Sequence, residues 1–357
     1  MKMAKRRGVR PLHLDDSGRL WASRGFRLFC SDDGGATYVK QGLLRPGFKH
    51  SLKVQFRLLA RLFREGIHHF HVFPDGSQVA VLKSGIYCRA KGEQEFRKTY
   101  RFVRGSRPLN ICVDEGNRLY FGEYFSNPER TSVHIFRSLD QGNTWSVVHT
   151  FPDGAVRHVH GVYWDSFRRG LWVLTGDLDH ESGVYLTTDS FAYLKPVLTG
   201  SQRARAVSLI PLSDGVILPT DTEVDNNVAQ WLDPATGLCK HTADLPGSVF
   251  YSTVCADFYI FATVVEPSDV NHSQRVYIYF SKDGQRWKIL HQATKDRWHM
   301  RYFQYGTYLF PSGVNHTAIL YAFGQAVVGS DGCMLVFDLK QAWQEREYVP
   351  EPDNALT

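Results

Sequence analysis

Short apolar runs separated by turn residues recur along the whole chain. One stretch reads HVHGVYWDS, GLWVLTGD, GVYLTTD and AYLKPVL, and a later one reads VFYSTVCAD, FYIFATVV, RVYIYFS and WKILHQA. Runs of this length, rich in Val, Tyr, Phe and Trp and bounded by Gly, Asp and Ser, are typical of β-strands. Each stretch therefore predicts four consecutive short strands.

A short acidic turn follows the third run of several of these stretches. It reads SDDGGATY at 31–38, SLDQGNTW at 138–145, TTDSFAY at 187–193 and SKDGQRW at 281–287. The acidic residues of these turns and of WLDPATGL are Asp33, Asp140, Asp189, Asp233 and Asp283, at intervals of 107, 49, 44 and 50 residues. The long interval covers two periods, so a regular repeat runs through the chain.

This repeat predicts the fold. The turn missing from the long interval falls near Lys91, and a seventh position falls near Asp338. A period of about 45–55 residues indicates a propeller or a solenoid. Four antiparallel strands in each of seven repeats predict an all-β, seven-bladed β-propeller, and we expect residues 1–357 to form one domain.

One segment departs from the strand pattern. Residues 51–66, SLKVQFRLLARLFREG, carry apolar residues at 54, 58, 59 and 62, which is helical spacing, and Gly66 supplies a stop. We expect one short helical insertion at about 51–65, between blades 1 and 2. Its basic residues form either a solvated outer face or a cationic face for an acidic partner; they are Lys53, Arg57, Arg61 and Arg64.

The turn Ser-x-Asp-x-Gly-x-Thr-Trp resembles the Asp-box, the bacterial-neuraminidase repeat of sialidase-like propellers. Residues 138–145 match it fully, 31–38 nearly, and 281–287 in shortened form. The resemblance implies that each turn joins the third and fourth strands of a blade, remote from the active face. The Arg-Ile-Pro motif of true sialidases is replaced by GVRPLH near the N-terminus. The resemblance therefore implies the propeller fold, and we transfer no sialidase catalytic residue to this chain.

Composition narrows the class of protein. The 357 residues are 43% hydrophobic and carry a net charge of +6, which favours an acidic partner. No apolar run approaches the ~18 residues of a transmembrane helix, and no signal peptide is present in this sequence. The six cysteines show no metal-knuckle or Cys-x-x-Cys spacing, so we expect reduced core residues and a cytoplasmic protein.

Candidate chemistry collects on the face opposite the acidic turns. There the innermost strands begin, and they contribute His69, His158, His160, Arg203, Arg205, Tyr251 and Arg301. The loops after the second strands add Tyr124, Asp179 and His180, together with four acids at equivalent positions, Glu123, Asp177, Asp221 and Glu266. Acids, histidines and arginines at one propeller mouth predict a ligand pocket.

We expect an enzyme that acts there on an acidic oligosaccharide or polysaccharide. The candidate catalytic residues are His158, His160, Asp177, Glu123 and Asp221, and the candidate substrate-binding residues are Arg205, Arg203, Tyr124, His69, Asp179, His180, Tyr251 and Arg301. Hydrolysis would use two carboxyl groups, whereas a lyase would use His or Tyr with Arg on a uronate carboxylate. The sequence leaves both open.

Cofactor and partner expectations follow from the same residues. No cofactor is required, and the histidine pair with a carboxylate could bind a divalent cation, although no local spacing specifies a metal. No nucleic-acid partner is expected. The alternative is a non-catalytic propeller that serves as a glycan- or protein-binding platform.

Overall fold

The computed structural model describes residues 4–350, which form 29 short strands and four α-helices. The strands are β1 (Ala4–Arg7), β2 (Arg10–Leu14), β3 (Leu20–Arg24), β4 (Arg27–Ser31), β5 (Val39–Leu43), β6 (His69–Val72), β7 (Gln78–Leu82), β8 (Gly85–Arg89), β9 (Arg97–Tyr100), β10 (Cys112–Val113), β11 (Leu119–Gly122), β12 (Val133–Ser138), β13 (Ser146–Phe151), β14 (His158–Asp165), β15 (Gly170–Gly176), β16 (Gly183–Thr187), β17 (Lys195–Thr199), β18 (Ile210–Pro211), β19 (Val216–Pro219), β20 (Asn227–Leu232), β21 (Cys239–Leu245), β22 (Val249–Cys255), β23 (Phe258–Thr263), β24 (Arg275–Ser281), β25 (Lys288–Thr294), β26 (Thr307–Leu309), β27 (Ser312–Gly313), β28 (Ile319–Gln325) and β29 (Cys333–Asp338). The helices are α1 (Phe48–Lys53), α2 (Arg57–Phe63), α3 (Met300–Phe303) and α4 (Leu339–Glu345).

These strands form seven antiparallel blades around an axis, which confirms the predicted seven-bladed propeller. Blades 1 to 6 are β2–β5, β6–β9, β10–β13, β14–β17, β18–β21 and β22–β25, each in simple sequential order. Blade 7 contains β26, β28 and β29. The two-residue strand β27 adds a parallel partner to β2, so blade 1 has five strands.

The ring closes through the N-terminal strand. β1 pairs antiparallel with β29 and is the outer strand of blade 7, with Ala4 opposite Val336 and Arg7 opposite Cys333. The amide of Gly8 then donates to the carbonyl of Gly332 at 2.8 Å. The first and the last strands thus share one sheet, and this pairing links the first blade to the last.

Apolar side chains fill the spaces between successive blades. Two tryptophans, Trp172 and Trp287, are among the largest fully buried side chains. Replacing such an aromatic residue with alanine typically costs about 3–5 kcal/mol of folding free energy. All six cysteines are free, and five of them are buried, which agrees with the expected reduced core residues.

The acidic turns join the third and fourth strands of their blades. In blade 3, Asp140 accepts hydrogen bonds from the Thr144 amide (2.8 Å), the Thr144 hydroxyl (2.6 Å) and the Ser138 hydroxyl (2.8 Å). Asp33 in blade 1 makes the same three contacts to its own turn. The carboxylate therefore accepts hydrogen bonds from the turn at the point where the backbone pairing of the two strands ends.

The insertion between blades 1 and 2 differs from the single predicted helix. It consists of α1 and α2, separated by residues 54–56. Its polarity is also reversed: Leu58, Leu59 and Leu62 are exposed, whereas Arg61 is buried at 1% exposure. The expected solvated or partner-binding basic face is therefore wrong for Arg61. The physical reason is that carboxylates elsewhere in the fold compensate its buried charge.

Arg61 connects the insertion to blades 6 and 7 through ion pairs and hydrogen bonds. Its guanidinium binds Asp296, which follows blade 6, at 2.5 Å, and lies 3.4 Å from Asp331 of blade 7. It also donates to the carbonyl of Phe303 at 2.6 and 2.9 Å. α2 thus reaches across the mouth of the propeller. None of the helices described between residues 4 and 350 is long and apolar enough to span a membrane.

We predict that Asp140→Ala lowers the free energy of unfolding by about 1–2 kcal/mol, because the variant leaves turn donors without an acceptor. The change should leave ligand binding at the opposite face unaltered. Chemical denaturation measures the loss, and Asp214→Ala, at an exposed turn of blade 5, is the matched control. A loss of binding with unchanged stability would contradict a structural role for the turn.

Candidate functional site

An axial cavity of about 450 Å³ opens on the face opposite the acidic turns. Its walls come from the segments where the first strands of blades begin, including residues 66–69, 106–109, 250–251 and 304–307. Arg57, Ala60 and Arg64 of the insertion also line it. A cavity therefore lies at the mouth where the sequence predicts a ligand pocket.

Six arginines of the described chain line the cavity, and two of them, Arg10 and Arg107, are half-buried and lie near the starts of first strands. Arg10 begins the first strand of blade 1, and Arg107 precedes the first strand of blade 3. Desolvation lowers the pKa of Arg10 to about 10, and the charges of Arg107 and Arg57 add to this effect. Desolvation also lowers the pKa of Arg107, with a further contribution from Arg64. Within residues 4–350 no carboxylate forms an ion pair with either arginine. Because six arginines and one carboxylate, Glu65, of these residues line the cavity, its charge is positive overall.

Tyrosine and histidine side chains complete the lining. Tyr251 lies close enough to both arginines that a negative charge on its phenol would raise the pKa of each. His69 is held neutral, because burial and the charges of Arg107 and Arg10 lower its pKa to about 3. Tyr124 forms part of the wall, and burial together with nearby carboxylates raises its pKa to about 12.

Beside this cavity, three predicted residues of blade 4 form one compact group. His158 and His160 begin the first strand, and Asp177 follows the second strand. The Nε2 atoms of the two histidines are 3.1 Å apart, and Asp177 Oδ1 lies 3.3 Å from His158 Nε2 and 3.2 Å from His160 Nε2. Residues in alternate positions of a strand point the same way, which brings the histidines together.

The protonation states of this group follow from its contacts. Burial lowers the pKa of His158 despite the opposing effect of Asp177. Burial would raise the pKa of Asp177, but hydrogen bonds and charge from His158 and His160 outweigh it and hold this pKa well below its usual range. Asp177 is therefore ionised at neutral pH.

Arginines and a second carboxylate surround the group. Arg157 binds Asp177 Oδ2 at 2.9 Å. Arg205 lies between two acids, 3.8 Å from Asp177 Oδ1 and 3.8 Å from Asp221 Oδ2. The ring of Tyr124 packs at a tilt against that of His158, with centroids 4.3 Å apart, and connects the group to the cavity wall.

A pair of buried carboxyl groups lies next in the ring. Burial raises the pKa of Asp221 despite Arg205. Burial, with the charges of Asp221 and Glu223, raises the pKa of Glu266 to about 8. Glu266 also hydrogen-bonds Tyr305, a residue of the cavity wall. At neutral pH Glu266 is therefore a proton donor beside the cavity.

The structure separates the predicted site residues into two sets. The brought-together residues are His158, His160, Asp177, Asp221 and Arg205, with Tyr124, His69 and Tyr251 in the cavity wall. Glu123 instead pairs with Arg104 and accepts from the His134 amide at 2.9 Å. Of the four predicted acids, Glu123 is therefore the one whose carboxylate binds residues outside this group.

The remaining predicted residues lie outside the cavity lining. Asp179 accepts from the Gln202 side chain at 2.7 Å on an exposed loop, and His180 is 70% exposed. Arg203 affects the pKa of Cys239, in the outer strand of blade 5. Arg301 is an exposed residue of α3. Strand position alone did not give these side-chain directions.

Sequence reasoning missed the cations that dominate the cavity, Arg10 and Arg107, as well as Tyr305. Arg10 occupies the same position in blade 1 that His69 occupies in blade 2, at the start of the first strand. Arg107 lies in the corresponding segment before blade 3. Applying the same alignment to blade 1 would have found Arg10, whereas Arg107 lies in an irregular segment before its strand.

Comparison with known proteins supports the fold. No family model matches the chain, and no curated protein matches its sequence. An oligogalacturonate lyase in complex with manganese has a TM-score of 0.61 at 8% identity, covering 96% of this chain and 92% of that chain. A structure of the mitotic checkpoint complex gives 0.54 at 10% identity over 94% and 93%. YCF48 bound to D1 peptide gives 0.55 at 11% identity over 94% and 96%.

These neighbours show a shared propeller and no shared activity. Their sequence identities are too low to transfer a residue or a reaction to this chain. They include an enzyme as well as a propeller bound to a peptide. Function must therefore be argued from the cavity and the adjoining polar group.

We predict that the protein loses stability as the pH falls below about 6.5, the usual pKa of histidine. Burial lowers the pKa of His13 and His69 to about 3 and that of His71 to about 4. Since the unfolded chain binds these protons first, each histidine contributes stability that is present above about pH 6.5 and lost toward these lower values.

Chemical denaturation at a series of pH values measures this slope, which is about 1.4 kcal/mol per pH unit for each proton taken up on unfolding. The variant His71→Asn should have a shallower slope, whereas His272→Asn, at an exposed histidine, should match the parent. Equal slopes for the parent and His71→Asn would show that His71 is not held neutral by the fold.

Proposed function

We propose that this propeller is a lyase that cleaves a uronate-containing oligosaccharide in the axial cavity. The observation that carries the proposal is the pair of half-buried arginines, Arg10 and Arg107, which line the cavity and lack a carboxylate partner within the described residues. A cation that is partly removed from water is stabilised by an accompanying anion, so the cavity favours an anionic ligand. A cavity of about 450 Å³ has room for a small sugar unit.

The lining favours elimination over hydrolysis. Hydrolysis requires two carboxyl groups on either side of the glycosidic bond. Here the wall presents arginine, tyrosine and histidine. Its one carboxylate among the described residues, Glu65, is bound by His50 at 2.9 Å, and the carboxyl groups of Asp177, Asp221 and Glu266 lie beside the wall. Elimination requires the opposite set: cations on the uronate carboxylate, a base for the adjacent proton and an acid for the leaving oxygen.

Each step can be assigned to a residue of the cavity. Arg10 and Arg107 bind the uronate carboxylate and stabilise the charge that develops on it. Tyr251 in its phenolate form, whose negative charge interacts favourably with both arginines, takes the proton from the carbon next to the carboxylate and becomes a neutral phenol. That electron pair forms the new carbon–carbon double bond as the glycosidic carbon–oxygen bond breaks. The departing oxygen takes a proton from the Glu266–Tyr305 pair.

The same proposal assigns a family. Four acidic turns join third and fourth strands, as in Asp-box propellers, and their aspartates accept hydrogen bonds from their own turns. Two of them, at 31–38 and 138–145, have the Ser-x-Asp-x-Gly order. We therefore place the chain in the sialidase-like superfamily, with an acidic carbohydrate as its ligand. The manganese-bound lyase among the structural neighbours is consistent with this assignment.

The test is turnover of uronate oligosaccharides, followed by ultraviolet absorbance of the unsaturated product. We expect Tyr251→Phe to lower kcat by about 100-fold or more while substrate still binds. We expect Arg107→Gln to raise KM, because it removes a contact to the carboxylate. Arg275→Gln, at an exposed arginine of blade 6, is the matched control and should leave both constants unchanged.

Product analysis decides between the reactions. Release of a saturated reducing sugar without the absorbing product would indicate hydrolysis and contradict elimination. Unchanged turnover in both Tyr251→Phe and Arg107→Gln would contradict the cavity as the site of reaction. Thermal unfolding of each variant separates loss of function from loss of fold.

A second candidate function, a protein-binding platform, is favoured by a different surface. The insertion exposes apolar side chains at the rim of the mouth; they are Phe48, Leu52, Phe56, Leu58, Leu59 and Leu62. A contiguous apolar patch of this kind is typical of a partner-binding surface. Absence of turnover on every uronate substrate, together with capture of an apolar peptide lost in Phe56→Ser, would favour this function over the lyase.

A further inference from the structure

Three potential metal ligands converge in blade 4. His158 Nε2, His160 Nε2 and Asp177 Oδ1 form a nearly equilateral triangle with edges of 3.1, 3.2 and 3.3 Å. Both histidines are buried, at 5% and 2% exposure. Three ligands bound ~2.1 Å from one cation are about 3.0–3.4 Å apart in octahedral or tetrahedral geometry. The triangle therefore has the dimensions of one face of a coordination sphere.

The far sides of the two imidazole rings fix where their protons lie. His160 Nδ1 is 2.9 Å from the carbonyl of Ala206, and His158 Nδ1 is 3.3 Å from the carbonyl of Phe125. A carbonyl oxygen can only accept, so each Nδ1 carries the proton and donates it. In the neutral rings, both Nε2 atoms then present lone pairs toward each other and toward the carboxylate.

Three lone pairs facing one point repel each other unless a cation lies among them. A single proton can satisfy only one of the three short contacts at a time, whereas a metal ion satisfies all three. We propose that His158, His160 and Asp177 bind a divalent first-row transition-metal cation, such as Mn²⁺, Co²⁺ or Zn²⁺. Two imidazoles and one carboxylate are ligands that suit these ions.

The surroundings support a metal site with an open position. Arg157 binds Asp177 Oδ2 at 2.9 Å, which leaves Oδ1 directed at the histidines. The two carbonyls orient the rings in the way that outer hydrogen bonds commonly orient metal-bound histidines. Asp177 is 20% exposed, and Tyr124 connects the group to the cavity, so further coordination positions can take water or a ligand oxygen.

A role for this cation in turnover rests on the proposed function. A metal beside Tyr124 and Arg205 would add positive charge near the cavity in which Arg10 and Arg107 hold the uronate. Cation binding itself needs only the three ligands and their orientation. The two proposals can therefore fail separately.

The experiment is a calorimetric titration of the untagged full chain, stripped with a chelator, with MnCl₂ and separately with ZnCl₂. We expect one cation per chain and a rise in thermal unfolding temperature on binding. Asp177→Asn and His160→Ala should each weaken the affinity by about 100-fold or more, since even outer hydrogen-bond partners contribute 10–100-fold. Visible absorption of the Co²⁺-loaded parent, with nitrogen ligation, is a second readout that needs no variant.

The matched control is His241→Ala. His241 and Asp244 form another histidine–carboxylate pair, with Nε2 and Oδ1 3.1 Å apart, on the outer part of blade 5. This variant should bind the cation as the parent does. The proposal is overturned if the parent binds none of these ions stoichiometrically, or if Asp177→Asn binds them as tightly as the parent. Stoichiometric binding without turnover would support the metal site and contradict only the lyase.

Discussion

The pairing of β1 with β29 is the contact on which the rest of the structure depends. A blade cannot bury both of its faces alone, so a propeller is stable only when the last blade packs against the first. Here four residues of the N-terminal strand complete blade 7, and three residues later Arg10 begins blade 1. Ring closure thus determines where the first cation of the cavity lies.

Closure also places blade 7 within reach of the insertion that follows blade 1. Arg61 crosses the mouth to Asp296 and Asp331, and a buried ion pair of this kind typically costs 3–5 kcal/mol when one partner is removed. The insertion then contributes Arg57 and Arg64 to the cavity wall. The cavity is therefore a product of the closed ring and not of any one blade.

The two parts of the site differ in how their charges are balanced. Around Asp177 each acid has a cation nearby, with Arg157 on one oxygen and Arg205 shared with Asp221. In the axial cavity, Arg10 and Arg107 have none among the described residues. The proposed anion binding and the proposed metal binding thus involve neighbouring but distinct groups, which Tyr124 connects.

The fold could be predicted because strand periodicity and the acidic turns depend on local sequence. Asp140 makes its contacts within a few residues, so the repeat can be recognised from the sequence alone. The pairing of His158 with His160 was also predictable, because alternate strand positions share a face. Arg61 was misjudged, since its burial depends on carboxylates more than 200 residues away.

The same limit explains the other site residues. The direction of Arg203 and the capture of Glu123 by Arg104 depend on neighbours that strand alignment does not reveal. Arg107 was missed because it lies in an irregular segment before its strand, where no periodicity marks it. Sequence patterns located the face, and three-dimensional packing selected the residues on it.

A crystal structure of the full chain soaked with a uronate disaccharide tests the central claim most directly, namely that the axial cavity binds an anionic sugar. The account predicts the sugar carboxylate within hydrogen-bond distance of Arg10 and Arg107, with Tyr251 next to the adjoining carbon. A sugar bound on the face of the acidic turns, or a cavity left empty at saturating concentration, would contradict it.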